Sequence, residues 1–386
     1  MERVVSSDTG IRKPHQSSNP IIPILMPGFF AQRYTPPFRH ELPGTMKEML
    51  ENESSGRKVS ANFKLLRRWL WLKMNLPSRL LWDRLPPAPA RLLWLNYSST
   101  SIGDSIMELA GRSMLGAYHV DLLTDPRHAE LYLHDRFFQS VFTQADQLDS
   151  SRYDFVLLDL FNTRSIRLKT SIGPKLPCAC LQSFFYGAHF NRTLFSCYRI
   201  HHLLGYPYDD AKLQPFLRPT LFADGEPAVL PPKRKQKRIA LMLGGVEPFK
   251  TYRQWPEAIR LLRAQWPSGR EFPEFVLIGS ENGAPYVDQV LAALKDCDAV
   301  PRVGGLTLRQ TVRALADCDA FIGTDGGLMH CAVALNVPGV ALFARFHPRI
   351  LLPPQTTMDS IYDAQDVNNI TPAAVTDAIL VHLTRV

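Results

Sequence analysis

Residues 322 to 343, IGTDGGLMHCAVALNVPGVALF, hold the densest chemistry in the chain. An apolar run ends in Asp325-Gly326-Gly327, and a helical pattern begins at once. Glycines at such a turn let a ligand approach the backbone closely. The unpaired N–H groups of a helix start, with the helix dipole behind them, suit a phosphate. The same residues also fit a tight turn in which Asp325 or Thr324 caps the helix. His330, taken alone, fits a packed side chain. A second strand-to-helix turn, SSTSIGDSIM, carries Gly103 and Asp104. An acid there reads as a cap, and the dipole favours its ionised form. A third loop, LGGVEPFKTYRQWP, holds Lys250, which alone reads as a surface lysine, and Trp255, which reads as packing.

Other chemistries find little support. LTDPRH and YDDAK lack an Asp-x-Asp metal motif. No Gly-x-Gly-x-x-Gly follows a strand pattern, which argues against a dinucleotide oxidoreductase. Cys178 and Cys180 flank one alanine without a second pair at zinc-ribbon spacing, so they read as strand residues facing the same side. The six cysteines do not form a disulfide framework in a chain this large, and a reducing cytosol fits.

The elements that must position these turns alternate between strand and helix. RLLWLNYS (91 to 98), HVDLLTD, SVFTQ and YDFVLLDL are short apolar runs separated by helical patterns, the first from about Asp104 to Leu115 and the next in PRHAELYLHD. After the Pro-then-basic linker PPKRKQKR (231 to 238) a second series follows: IALMLGG, EFVLIGS, DAFIGTD and GVALFA, with helices between them and a closing helix TPAAVTDAILVHLTRV. The alternation predicts two doubly wound α/β halves with parallel sheets, over 90–228 and 229–386, and a ligand cleft between them. The last helix could return to the first half. Residues 1–63, rich in Pro, Ser and charge, read as a poorly ordered or surface-draped extension.

Between extension and first half, KLLRRWLWLKMNLPSRLLWDRL (64 to 85) repeats Leu65, Trp69, Leu72 and Leu76 at helical spacing, with Lys64, Arg67, Arg68 and Lys73 among them. It fits a cationic amphipathic helix on an anionic membrane, or a helix packed on the next domain with its basic face solvated. In bulk, the chain has 386 residues, 45% hydrophobic and 21% charged, with net charge +8, so two domains with real cores fit and an anionic partner is favoured: a phosphorylated sugar, a nucleotide or an acidic membrane surface. The start MERVVSSDTG lacks the pattern of a secretory signal, and no apolar run reaches spanning length. The expected location is cytosolic, or peripheral on the inner face of the cytoplasmic membrane if residues 64–85 bind lipid.

The segment from Asp325 to Phe343 resembles the signature of the lipopolysaccharide heptosyltransferases of glycosyltransferase family 9. Asp325, Gly327, His330, Ala332, Ala334, Pro338 and Phe343 match its order and spacing. Gly326 stands where a hydroxyl residue is usual, and Ala344 where a glycine is. Gly103-Asp104 matches the family's Gly-Asp at the end of its first strand, and Lys250 the lysine before its Trp-Pro. The resemblance covers most of residues 91 to 350 and implies a GT-B fold: two Rossmann-like domains facing across a cleft. It implies that Asp104 is the catalytic base and that Lys250, Asp325, Gly326, Gly327 and His330 contact the donor diphosphate. By weaker matches, Gly279, Ser280, Glu281, Thr307 and Leu308 approach the nucleoside.

The resemblance further implies an inverting, metal-independent transfer from ADP-heptose to a lipid-linked anionic inner-core saccharide, with no cofactor and no nucleic-acid partner. Arg112, Arg127, Lys169 and Lys175 are nominal contacts for the acceptor's anionic groups. Three rivals remain: a transferase of the same fold with another nucleotide sugar, a sugar-nucleotide epimerase of similar architecture, and an inactive nucleotide-binding scaffold.

Overall fold

The computed structural model describes residues 59–97, 101–182, 191–207, 209–222, 236–295 and 297–385. The expected extension therefore lies outside the described residues up to 58, and from Val59 the chain is already helical. Helix α1 (Val59–Asn75) starts earlier and stops sooner than the 64–85 expectation. Pro77 cannot donate to the helix ladder, and a separate 3-10 turn, Ser78–Leu80, follows it. Beyond that, Leu81 bridges Cys178 and Trp82 N–H donates to Cys178 O at 2.9 Å, so this stretch joins a sheet edge.

The first lobe runs β1 (Arg91–Asn96), α2 (Ile102–Glu108), β2 (His119–Thr124), α3 (Pro126–Ala129), β3 (Ser140–Phe142), β4 (Phe155–Leu158), α4 (Thr163–Ile172), β5 (Cys178–Cys180), α5 (Arg192–Leu203) and α6 (Asp210–Leu213). Its strands are all parallel in the order β3-β2-β1-β4-β5. Leu92 to Leu95 are fully buried, as a central parallel strand covered on both faces requires. The expected first helix is shorter: α2 stops at Glu108 and the chain tightens into a 3-10 segment, Ala110–Leu115. PRHAELYLHD is helical only in α3.

The second lobe runs β6 (Arg238–Met242), α7 (Trp255–Ala264), β7 (Glu274–Ile278), α8 (Val287–Ala293), β8 (Ala299–Pro301), α9 (Leu308–Ala316), β9 (Ala320–Thr324), α10 (Gly327–Ala334), β10 (Gly339–Ala344), α11 (Pro348–Leu351), β11 (Met358–Asp363) and α12 (Pro372–Arg385). Its parallel sheet has the order β11-β10-β9-β6-β7-β8, the doubly wound arrangement. In each sheet the first strand lies between neighbours reached by crossovers in opposite directions. Such switch points open a crevice at the strands' C-terminal ends. The turns after β1, β6 and β9 end there.

Helix α12 does not return to the first lobe. Val375 and Ile379 are buried in the second lobe's core, and Thr376 Oγ1 donates to Ala258 O on α7 at 3.0 Å. The expected division at 228/229 falls outside the described residues, but the chain meets the second lobe before it. Leu221 N–H donates to Ala334 O at 3.1 Å, and Arg218 Nη1 to Asn336 Oδ1 at 2.6 Å. One apolar cluster runs through both lobes, from Leu92 and Trp94 through Ile106 to Met329 and Ala332, where α2 packs on α10.

Helix α1 packs on the first lobe. Leu72 and Leu76 are buried in a cluster with Cys178, Cys180 and Ile166, and the Arg167 guanidinium lies over the Trp71 ring. Leu70 and Met74 are exposed on the other side. No helix among the described residues is long and apolar enough to cross a membrane. Leu76→Ala is expected to destabilise the protein by about 2–5 kcal/mol through the cavity it leaves, whereas Met74→Ala stays within about 0.5 kcal/mol. Urea midpoints check both, and an unmoved midpoint for Leu76→Ala would show that α1 is not docked.

Candidate functional site

A cavity of about 700 Å³ lies between the lobes at the two switch points. On the second-lobe side the loop after β6 turns at Gly244, whose φ of +79° places it in the left-handed region, and a Cβ there would stand 2.7 Å from Gly283 N. The loop then closes in a 3-10 turn, Pro248–Lys250. Lys250 Nζ lies 2.7 Å from Asp325 Oδ2 and 3.7 Å from Glu247 Oε2. The Phe346 ring, centred 5.3 Å from that ammonium, forms another part of the wall.

Strand β9 delivers Asp325 and Gly326 to the start of α10. Gly326 is extended and offers no side-chain cap. The N–H groups of Gly327, Leu328 and Met329 precede the first intrahelical bond, from His330 N–H to Gly326 O at 3.2 Å. Asp325 does not cap this helix: its carboxylate is buried and turned to Lys250, with His330 Nε2 3.9 Å from its other oxygen. Burial pushes the His330 pKa below the usual value, against the attraction of Asp325 and Asp104. The imidazole is therefore neutral at pH 7, and Lys250 is the second lobe's cation among the residues that line the cavity.

The first lobe meets this wall through α2. Ser101, not Asp104, caps the helix: Asp104 N–H donates to Ser101 Oγ at 3.1 Å. That leaves the Asp104 carboxylate for other work. It is about one-third exposed and lines the cavity, with Arg192 Nε 3.1 Å from Oδ1. Next to it, Gly103 lies hard against His330, so that a Cβ would fall 2.3 Å from His330 Cδ2. The two helix starts thus approach as closely as a residue without a side chain permits.

Sequence reasoning missed Arg192 and the polar cluster under it. Arg192 Nη1 donates to Glu108 Oε1 at 2.6 Å and to Gln182 Oε1 at 3.0 Å. Asn96 Nδ2 donates to Glu108 Oε2 at 3.0 Å and to Asp159 Oδ2 at 2.7 Å, and Trp94 Nε1 to Asp159 Oδ1 at 2.8 Å. Burial and then the neighbouring Asp159 push Glu108 well above the usual carboxyl value, and burial also raises Asp159. Only half a signal was present: Asp104 and Glu108 stand four apart on one helix, but Asn191-Arg192-Thr193 reads locally as no more than the start of another.

Of the nucleoside candidates, Gly279, Ser280 and Leu308 line the cavity. Glu281 and Thr307 do not. Glu281 is exposed beside Gly304, and Thr307 caps α9 in a capping box with Gln310. Asn282, not foreseen, lines the cavity and donates to Gly245 O at 2.7 Å. The four nominal acceptor cations also stand elsewhere. Arg112 is buried on Asp135, Thr220 O and Leu109 O, and Lys169 is fully buried. Arg127 is exposed and pairs with the buried Asp125, and Lys175 is exposed outside the cavity. Trp255 packs edge-on against Tyr252 in the core.

Residues 220–366 match the model of glycosyltransferase family 9 (heptosyltransferase). No curated protein matches the sequence. Among solved structures, a family 9 glycosyl transferase from Veillonella parvula superposes with TM-score 0.63 at 14% identity, over 79% of this chain and 100% of that one. The ADP-heptose lps heptosyltransferase II of E. coli gives 0.56 at 20% identity, over 76% and 99%. The E. coli heptosyltransferase WaaC with ADP gives 0.58 at 14%, over 76% and 99%. These likenesses establish the GT-B architecture, two parallel α/β lobes facing across the cleft. The chain is heptosyltransferase-like: its residues 220–366 match the glycosyltransferase family 9 model, and its fold is GT-B.

Proposed function

We propose that the protein transfers heptose from ADP-heptose to a lipid-linked anionic saccharide of the lipopolysaccharide inner core, inverting the anomeric centre without a metal ion. One observation carries the reading: a carboxylate from one lobe, Asp104, and the amide-lined start of α10 with Lys250 from the other line a single cavity. Its volume suits a nucleotide sugar. The family 9 match supports sugar transfer, and the ADP held by WaaC supports the choice of base.

In this reading the diphosphate rests on the N–H groups of Gly327 and Leu328, beside Lys250. The acceptor hydroxyl attacks the anomeric carbon from the Asp104 side. Its proton passes to Asp104 as the new C–O bond forms. The bond to the β-phosphate oxygen breaks, and ADP leaves with the electron pair. Charge growing on that oxygen meets fixed dipoles and one ammonium group, which need no reorganisation during the reaction. The transition state is oxocarbenium-like, as in glycoside hydrolysis, with a sugar hydroxyl in the place of water. Gly326 offers no hydroxyl, so backbone amides serve alone at that position. The nucleoside lies toward Gly279, Ser280 and Leu308. The protein acts on the cytosolic side of the membrane, where α1 brings Arg67 and Lys73 to the surface.

Titration calorimetry with ADP, UDP and GDP tests the donor, followed by transfer from ADP-heptose to purified core acceptors. ADP is expected to bind at least about tenfold more tightly than the others, a difference of about 1.4 kcal/mol. Equal affinities would remove ADP-heptose as the donor. ADP binding without transfer to any core acceptor would leave the scaffold reading instead.

A further inference from the structure

We propose that Arg192 is a positioning residue for the reaction: its guanidinium fixes the Asp104 carboxylate at the cavity by gripping Glu108, one turn further along α2. This rests on the reading of Asp104 as base.

Helix α2 places Asp104 and Glu108 at positions i and i+4, on the same face. Two acids so placed repel one another unless a cation lies between them. Arg192 supplies that cation from another part of the chain. Its Nε stands 3.1 Å from Asp104 Oδ1, and its Nη1 donates to Glu108 Oε1 and Gln182 Oε1. Separate donors of one rigid plane therefore hold acceptors on α2 and after β5. A lysine, with a single point charge on a flexible stem, cannot hold both acids in fixed geometry.

The arginine is itself held. It is the first residue of α5, and Asn191 caps that helix by accepting from Leu194 N–H at 3.1 Å. Asn191 Nδ2 also donates to Arg349 O at 3.0 Å and Leu352 O at 2.9 Å in the second lobe. The backbone that carries Arg192 is thus tied to both sides of the cleft. Below it, Glu108 and Asp159 are fully buried and share hydrogen bonds from Asn96.

The arrangement suits a base that changes charge in each turnover. When Asp104 takes the acceptor proton, its attraction for the guanidinium weakens. Glu108 and Gln182 still hold Arg192, so the guanidinium stays where the ionised carboxylate needs it. Without Arg192, Asp104 would spread over its rotamers.

Arg192→Ala is the test, read by kcat, the donor KM, ADP affinity by calorimetry and chemical rescue. Because misplacing a catalytic group by about 1 Å can cost about 100-fold, kcat is expected to fall about 100-fold. ADP affinity should stay within about threefold, because the diphosphate site is on the other lobe. Added guanidinium ion should restore at least about tenfold of the Arg192→Ala rate and none of the Asp104→Ala rate. A kcat near that of the parent, a loss confined to ADP affinity, or the absence of rescue in a folded variant would each overturn the role. If Arg192→Ala does not fold, Arg192→Lys carries the test. It should keep ADP affinity and lose at least about tenfold in kcat, and parent-like turnover would overturn the proposal. Parent-like turnover in Asp104→Ala would defeat the base assignment itself. An inactive Asp104→Ala beside an unimpaired Arg192→Ala would defeat only the role of Arg192.

Discussion

Asp104→Ala is expected to lower kcat by about 10²–10⁴-fold, the usual worth of a positioned general base, while ADP affinity and the unfolding midpoint stay close to those of the parent. The split follows from where the side chain stands. Asp104 lies on the first lobe, and its backbone N–H, not its carboxylate, serves the helix start through Ser101 Oγ. Removing the carboxylate therefore costs no cap. It also leaves the Lys250 and α10 side of the cavity in place, so the nucleotide keeps its contacts. Asp104→Asn sharpens the test, because it retains the shape and one acceptor for Arg192 but cannot take a proton. It should be nearly as slow as the alanine variant. His330 is the rival base, since it is neutral at pH 7 and lies near both helix starts. Its ring lines the same cavity but is only 4% exposed, wedged against Gly103 and near Asp325, whereas Asp104 is about one-third exposed. Substantial turnover in Asp104→Asn would transfer the role to His330 or to solvent.

What was legible in the chain divides by range. The turn at Asp325 to Gly327 was readable because everything that defines it is local: an apolar strand, two glycines and an immediate helix. The same holds for Gly103-Asp104, although the cap was misplaced, because Ser101 and Asp104 both suit a helix start and only geometry decides between them. The Asp104, Glu108 and Arg192 cluster was not legible. Arg192 lies 84 residues from Glu108, and nothing local in Asn191-Arg192-Thr193 marks it as more than a helix start.

Two expectations gave way to local geometry. The apolar spacing of α1 continues through Leu76, Leu80 and Leu81, so the expected element ran to residue 85 with only an interruption at Pro77, whereas the helix ends at Asn75. Thr307, a candidate for the nucleoside, is followed three residues later by Gln310, which is the local sign of a capping box. That bland reading is the one its hydrogen bonds support. The two-lobed architecture was legible because parallel strands buried on both faces write themselves as unbroken apolar runs. The docking of α12 was not, because an amphipathic helix at a chain end carries no address for the surface it covers.

Lys250→Ala is expected to have the second large effect, and a compound one. Lys250 lines the cavity with the start of α10, and Asp325, buried to 4% exposure, faces it at 2.7 Å. Losing the ammonium removes a donor from the departing diphosphate, which for a single preorganised donor costs about 10²–10³ in kcat. It also strands a buried carboxylate beside an anionic ligand, which is costly both for folding and for binding. The variant should therefore lose ADP affinity and melt at a lower temperature as well as turn over slowly, unlike Asp104→Ala. Pairing it with Asp325→Asn separates the two contributions. The double variant should regain most of the melting temperature and part of the ADP affinity, because no unpaired charge is left. It should not regain kcat, because the charge that grows on the leaving oxygen still has no counter-ion. Recovery of turnover in the double variant would mean that Lys250 serves only to neutralise Asp325, and the diphosphate would then rest on the backbone amides of α10 alone.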